Sequence, residues 1–313
     1  MTLGGANNIF STFARCLYLK GLSASVSTVY QYNRIIRMDK RLLTIQDISC
    51  VGQCSLTVAL PVISACGVET AILPSSVLSN HTAGFSAWTF CDLTDEMPLI
   101  LAQWKKESID FDAFYTGYVS KTQIPYIMKI MDEVARPGAL RIIDPVMGDN
   151  GKLYAGFDDD FPMEMRKLIK GVDVILPNMT EALLLLDRPY VDSGYSQDFV
   201  EDVLKELAAF GVKNVVLTGV SLEEGKLGVA CYDGEKVDYY FTERIDVSMH
   251  GTGDVYSSSF AGAMMRGKSV MEAASIAADF VVETIRQTLG DKEHWYGVKF
   301  AKALPYLIGR LAE

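Results

Sequence analysis

Residues 250–267 read HGTGDVYSSSFAGAMMRG, with two glycines, a threonine and an acid directly ahead of a run of small residues. Gly251 and Gly253 permit backbone angles that turn successive N–H groups toward one point, and neither carries a side chain to block the approach. The helix expected to follow adds unsatisfied N–H groups and the positive end of its dipole. Together with Thr252 these make a site for a phosphate. A carboxylate beside an anion repels it, so Asp254 makes chemical sense as a base that takes a proton from an alcohol attacking that phosphate. Its other reading is structural, since an acid in the first turn favours a helix start.

Further acids fall where such a reaction would need them. The stretch IDPVMGD (143–149) places Asp144 and Asp149 on either side of a turn. Two carboxylates with phosphate oxygens suit Mg²⁺, which prefers few protein ligands and several waters; the alternative is a polar loop turning at Gly148. In PNMTEA (177–182), Asn178 and Glu181 stand three apart, which is also the spacing of a capping box opening a helix. Rival phosphate motifs fail: G-x-G-x-x-G would need glycine where Tyr256 stands, and GVSLEEGKLG has one residue too many and Leu227 in the place of Ser or Thr. No G-x-S-x-G elbow occurs. His250 reads as a loop histidine, and Tyr239, Tyr240, Met264 and Met265 as packing.

The elements that must hold these residues alternate. Strands are expected at 42–47, 68–75, 111–119, 139–146, 172–178 and 213–219. Helices are expected at 55–67, from a Thr94 cap to about 108, at 122–135 and at 196–210. Asp233-Gly234 between two β-rich runs (226–241) predicts a hairpin, followed by helices near 253–266, 270–288 and 296–311. Repeated β-α units predict an α/β fold with a largely parallel sheet, helices on both faces and late antiparallel strands. In open α/β sheets ligands bind beyond the carboxyl ends of the strands. Those ends carry Asp47, Asn80-His81-Thr82, Tyr118, Asp144, Asp149, Asn178, Glu181 and Thr218. A sheet needs none of them for stability, so their convergence favours a site.

The 313 residues, 49% hydrophobic, are ample for a buried core. A net charge of −10 leaves no basic face for a nucleic-acid backbone. Six cysteines without a C-x-x-C pair suit reduced thiols in a cytoplasmic protein. Three histidines without H-E-x-x-H spacing make a protein-built zinc site improbable. No apolar run approaches the length of a membrane helix. Residues 1–37 carry Arg15, Lys20, Arg34 and Arg37 and no acid. They read as an extension outside the fold, a targeting peptide or a functional arm, ahead of one domain over 38–313.

Taken together, TIQD with GQCS, LSNHT (78–82), YTGY (115–118), DPVMGD (144–149), LPNMTEA (176–182) and GTGD (251–254) resemble the ribokinase-like superfamily. More narrowly they resemble its pyridoxal/pyridoxamine kinases. The resemblance covers residues 41 to about 290 and implies a three-layer αβα fold. It implies ATP-dependent phosphorylation of the 5′-hydroxymethyl group of a vitamin B6 pyridine, in a homodimer using Mg²⁺ and a monovalent cation. By the same resemblance Asp254 is the base, with the amides of Gly251, Thr252 and Gly253 as anion hole. Asp144, Asp149 and Glu181 hold Mg²⁺ directly or through water; Asp144, Asn178, Glu181 and Thr218 face ATP; Asp47, Thr82, Tyr118 and Tyr154 lie against the pyridine. A hydroxymethylpyrimidine kinase of the thiamin pathway would use the same machinery. A silent B6-binding protein would need no base, and Asp254 with the paired acids speaks against it.

Overall fold

The computed structural model describes residues 40–313. The expected extension over 1–37, and the start of the domain at 38, lie outside the described residues. Nine strands form one sheet: β1 (Arg41–Ser49), β2 (Glu69–Leu78), β3 (Phe90–Asp92), β4 (Phe111–Thr116), β5 (Ala135–Ile143), β8 (Val174–Ile175), β9 (Asn214–Val220), β10 (Lys226–Tyr232) and β11 (Val237–Glu243). Their order is β11-β10-β9-β8-β5-β4-β1-β2-β3, and β6 (Gly148–Asp149) and β7 (Lys152–Leu153) pair separately as a small hairpin. The six central strands, β9 to β2, are parallel; β3 at one edge and β10 and β11 at the other are antiparallel.

Both faces of the sheet are covered, which is why its strands read as nearly continuous apolar runs. Alternation of period two sends Leu43, Ile45, Phe114, Ile143, Val215 and Leu217 into one core. Their neighbours Leu42, Tyr115, Ile142 and Val216 go into the other. The first core lies under α2 (Glu96–Lys106), α3 (Ile124–Glu133), α4 (Phe161–Ile169), α5 (Met179–Leu186) and α6 (Gln197–Ala208). The second lies under α1 (Leu56–Ala65), α7 (Thr252–Met265), α8 (Val270–Thr288) and α9 (Phe300–Ala312). The expected three layers are present.

Two features of this frame position the site. The chain runs from β1 to β2 on one side and then returns to β4 on the other, so strand order reverses between β1 and β4. A crevice opens at the carboxyl ends on either side of such a reversal. The register of β1 on β2 also shifts between Gln46 and Ile48, at Asp47, and irregularities of this kind re-aim a side chain at a sheet's rim.

The small residues of α7 also have a purpose. The helix is buried along almost its whole length, from Val255 to Ala263. It packs so closely that a Cβ on Gly262 would stand 2.4 Å from Cys66 Sγ at the end of α1.

Three local expectations need correction. Thr94 is not the cap of α2: that place falls to Asp95, while Thr94 Oγ1 accepts from Gln123 Nε2 at 3.1 Å. The helix α4 and the edge strand β3 were not anticipated. Asp233 does close the hairpin, its Oδ1 accepting from the amides of Glu235 and Lys236 at 2.9 Å each.

Because Gly262 has no room for a side chain, Gly262→Val should force α1 and α7 apart. A loss of about 1–3 kcal/mol in urea unfolding is expected. Unchanged stability would mean that the two helices are not closely seated.

Candidate active site

The start of α7 is built by contact with the loop that follows β1. Gly251 sits at φ 82, and a Cβ there would lie 1.8 Å from the carbonyl oxygen of Gln53. Glycine is therefore required twice at this position, for its angle and for the close approach. Gly253 is different: a Cβ on it would meet nothing within 4 Å, so the space before the first turn is open. The amides of Thr252, Gly253 and Asp254 belong to the turn that has no intrahelical acceptors. Thr252 Oγ1 bonds back to the carbonyl of Met249 at 3.4 Å.

Three carboxylates are buried around this opening, Asp47, Asp144 and Glu181, and a fourth, Asp254, is partly buried at its edge. Burial pushes Asp254 up to about 7, and the charge of Asp47 adds to the rise. The backbone amide of Ser55 and the Cys54 thiol, both hydrogen-bonded to Asp254, pull it partly back. Burial raises Asp144 to about 8; the Ser257 hydroxyl, 2.7 Å from its Oδ2, opposes the rise and the charge of Asp254 adds to it. Glu181 is driven well above the carboxylate range, first by burial and then by Asp144. Burial also raises Asp47, against the hydroxyls of Ser55 and Ser49 and the nearby His81. Among the described residues the bonds made to these carboxylates come from hydroxyls, amides and the Cys54 thiol, not from lysine or arginine.

The residues beyond the ends of β5, β8 and β9 share one short network. Asn178 and Glu181 form a complete capping box at the start of α5, so that structural reading holds. Glu181 does more than cap: its Oε1 also accepts from the amide of Met147 at 3.1 Å. Asn178 Nδ2 donates to the Gly148 carbonyl at 2.9 Å, and Asn178 bridges to Thr218 across the ends of β8 and β9. The β6–β7 hairpin leads into Tyr154. That residue is 41% exposed, but its hydroxyl faces inward: burial, Glu181, Asp149, Asp144 and Asp254 all hold it above the usual phenol range.

Three expected residues lie nearer the surface. Thr82 is exposed in the loop after His81. Tyr118 is half-buried, its ring 5.1 Å from that of Phe157, with its hydroxyl raised by burial and by Asp47. Asp149 is exposed, and both its oxygens are taken by Asn150, at 2.8 and 3.1 Å. Among the described residues no three His, Cys, Asp or Glu converge on a ready-made metal cage. Asp144 and Glu181 nevertheless fit Mg²⁺, since the charge of Asp144 raises Glu181, a cation beside them would offset that charge, and the ion needs few protein ligands.

Four residues here were not singled out from the sequence: Cys54, Ser55, Tyr115 and Ser257. Ser55 has φ 54 and ψ −135 without being glycine, a strained backbone found where surroundings over-determine the chain. Burial and the charges of Asp144 and Asp254 raise the hydroxyl of Tyr115, which lies beneath them. Ser257 could have been found from its spacing, three residues after Asp254 on the same helix. His81 is a clasp: Nδ1 accepts from Ala83 N at 3.2 Å, leaving Nε2 to donate to the Tyr296 carbonyl at 2.7 Å.

Residues 60–298 match the family model described as phosphomethylpyrimidine kinase. The chain belongs to that family, within the ribokinase-like superfamily. A structure of a Bacteroides thetaiotaomicron protein described as a phosphomethylpyrimidine kinase, in a crystal form with pyridoxal, is 37% identical. It superposes with a TM-score of 0.81, covering 86% of this chain and 96% of that one. Pyridoxal kinase of Lactobacillus plantarum is 32% identical with a TM-score of 0.80, covering 86% and 97%. Pyridoxal kinase of Dictyostelium discoideum is 27% identical over 272 residues, 79% of this chain and 87% of that one.

Gly251→Ala should disturb both the fold and the anion site. About 1–3 kcal/mol of stability should be lost through the strained φ alone, and ADP binding, followed by calorimetry, should weaken. A variant with unchanged unfolding and unchanged ADP affinity would contradict the role given to this turn.

Proposed function

We propose that this protein is an ATP-dependent kinase that phosphorylates the 5′-hydroxymethyl group of pyridoxal, pyridoxamine and pyridoxine. The observation that carries the reading is Asp254, a partly buried carboxylate at an open helix start, which desolvation and the charge of Asp47 push up to about 7. A general base works best when its pKa lies near the operating pH. An ordinary surface aspartate would be too weak a base to assist an alcohol.

In this reading the vitamer's hydroxymethyl oxygen lies between Asp254 and the terminal phosphate of ATP. Asp254 takes the hydroxyl proton as the oxygen attacks the terminal phosphorus and the bond from that phosphorus to the bridging oxygen breaks, with ADP as the leaving group. The amides of Gly251, Thr252 and Gly253 receive the charge that gathers on the transferring group. Asn178 and Thr218 line the nucleotide phosphates. Asp144, Asp149 and Glu181 would hold Mg²⁺ directly or through water. When bound, that ion offsets phosphate charge. Asp47, Thr82, Tyr118 and Tyr154 surround the ring. Little covalent chemistry is asked of the protein; positioning and charge neutralisation suffice.

The reading extends to a cytoplasmic homodimer with a monovalent-cation requirement, which the family resemblance supports. Among the described residues no helix is long and apolar enough to cross a membrane.

A coupled ADP-release assay with Mg-ATP tests the function. Pyridoxal, pyridoxamine, pyridoxine and hydroxymethylpyrimidine are each offered separately. Turnover with the B6 vitamers is expected, and Asp254→Asn should lower kcat by about 10²-fold or more while leaving ATP binding largely intact. Turnover confined to the pyrimidine would move the protein to thiamin synthesis, with Asp47 as the discriminating contact. Binding of vitamers without any turnover would make it a silent binder, and near-normal turnover in Asp254→Asn would remove the base assignment.

A further inference from the structure

Ser257 follows Asp254 by three residues on α7, a spacing that puts both on one face of the helix. Its hydroxyl donates to Asp144 Oδ2 at 2.7 Å. The contact is sealed from solvent, with Ser257 2% and Asp144 6% exposed. Among the described residues no other side chain donates to that carboxylate, and the charge acting on it is another acid, Asp254. The main chain of Asp144 is fixed separately, by its amide on the Thr116 carbonyl at 3.1 Å and by the proline that follows. What remains free is the side-chain torsion.

On the kinase reading above, we propose that Ser257 is a positioning residue for Asp144. By claiming Oδ2 it leaves Oδ1 as the oxygen presented to the cation that accompanies the nucleotide. It also ties the acid at the end of β5 to the helix that carries the base. The two carboxylates come from strands and helices far apart in the chain, at positions 144 and 254, and this bond sets one against the other. Serine suits the task because its short side chain gives a donor without adding bulk to a helix that must pack closely.

The test uses Ser257→Ala and Ser257→Thr in the full chain. Mn²⁺ is titrated into protein saturated with ADP, and free Mn²⁺ is followed by electron paramagnetic resonance; turnover and melting temperature are measured beside it. Loss of the bond should weaken Mn²⁺ binding by about tenfold, the usual scale for removing a group that orients a metal ligand. It should lower kcat by about tenfold with little change in KM for the vitamer. Threonine, which keeps the hydroxyl, should restore both. Should the alanine variant not fold, Ser257→Cys makes the same comparison with a weaker donor of similar shape. Mn²⁺ affinity unchanged in a folded variant, or a loss that threonine leaves unrestored, overturns the proposal. Mn²⁺ binding with ADP requires no phosphoryl transfer, so a failure of the substrate assignment would still leave this result readable.

Discussion

Three carboxylates are held out of water around one opening with the partly buried Asp254 at its edge, and among the described residues their bonds come from hydroxyls, amides and one thiol, not from lysine or arginine. Burying an ionised acid without a cation is unfavourable, and a protein selected for stability alone would place apolar residues there. The surrounding structure manages this cost. Ser49 and Ser55 bond Asp47, Ser55 and Cys54 bond Asp254, Ser257 bonds Asp144, and backbone amides bond Glu181. What remains is a set of acids poised to hold protons or to receive a cation.

The sheet and α7 bring this about together. Reversal of strand order between β1 and β4 opens the crevice, and the register shift at Asp47 turns an acid into it. The first turn of α7, whose amides have no intrahelical acceptors, also carries Asp254, so the positive end of the helix and a carboxylate stand within one turn. That arrangement requires α7 to sit almost wholly inside the protein, which its serines, alanines and Gly262 allow.

Much of this was legible because period and turn chemistry are local. The alternating apolar runs, the Asp233-Gly234 hairpin and the Asn178–Glu181 capping box all follow from near neighbours in the chain. So does the choice of glycine at 251, although its contact with Gln53 does not. What was not legible depended on partners distant in sequence or on weak local signals. The three residues of β3 are all exposed and show no alternation. The helix α4 is short and announced only by Pro162 in its first turn. Ser55 adopts a glycine-like angle because Asp254 and Asp47 need its groups, and nothing about serine forecasts that. Asp149 accepts from its own loop neighbour, Asn150, a contact that the spacing of two acids across a turn does not forecast.

The stability of the unliganded protein as a function of pH tests most directly whether these acids are buried without compensation. Asp254 is raised from 3.8 to about 7 and Asp144 from 3.8 to about 8. The folded protein therefore binds these protons more tightly than the unfolded chain, and stability falls as the medium becomes more basic. Their contribution should be fully present below about pH 4 and lost as pH rises through 7–8. Urea unfolding across that range should show a decline in wild type that is flatter in Asp254→Asn and in Asp144→Asn. Stability that rises with pH, or a decline that neither substitution changes, would contradict the account.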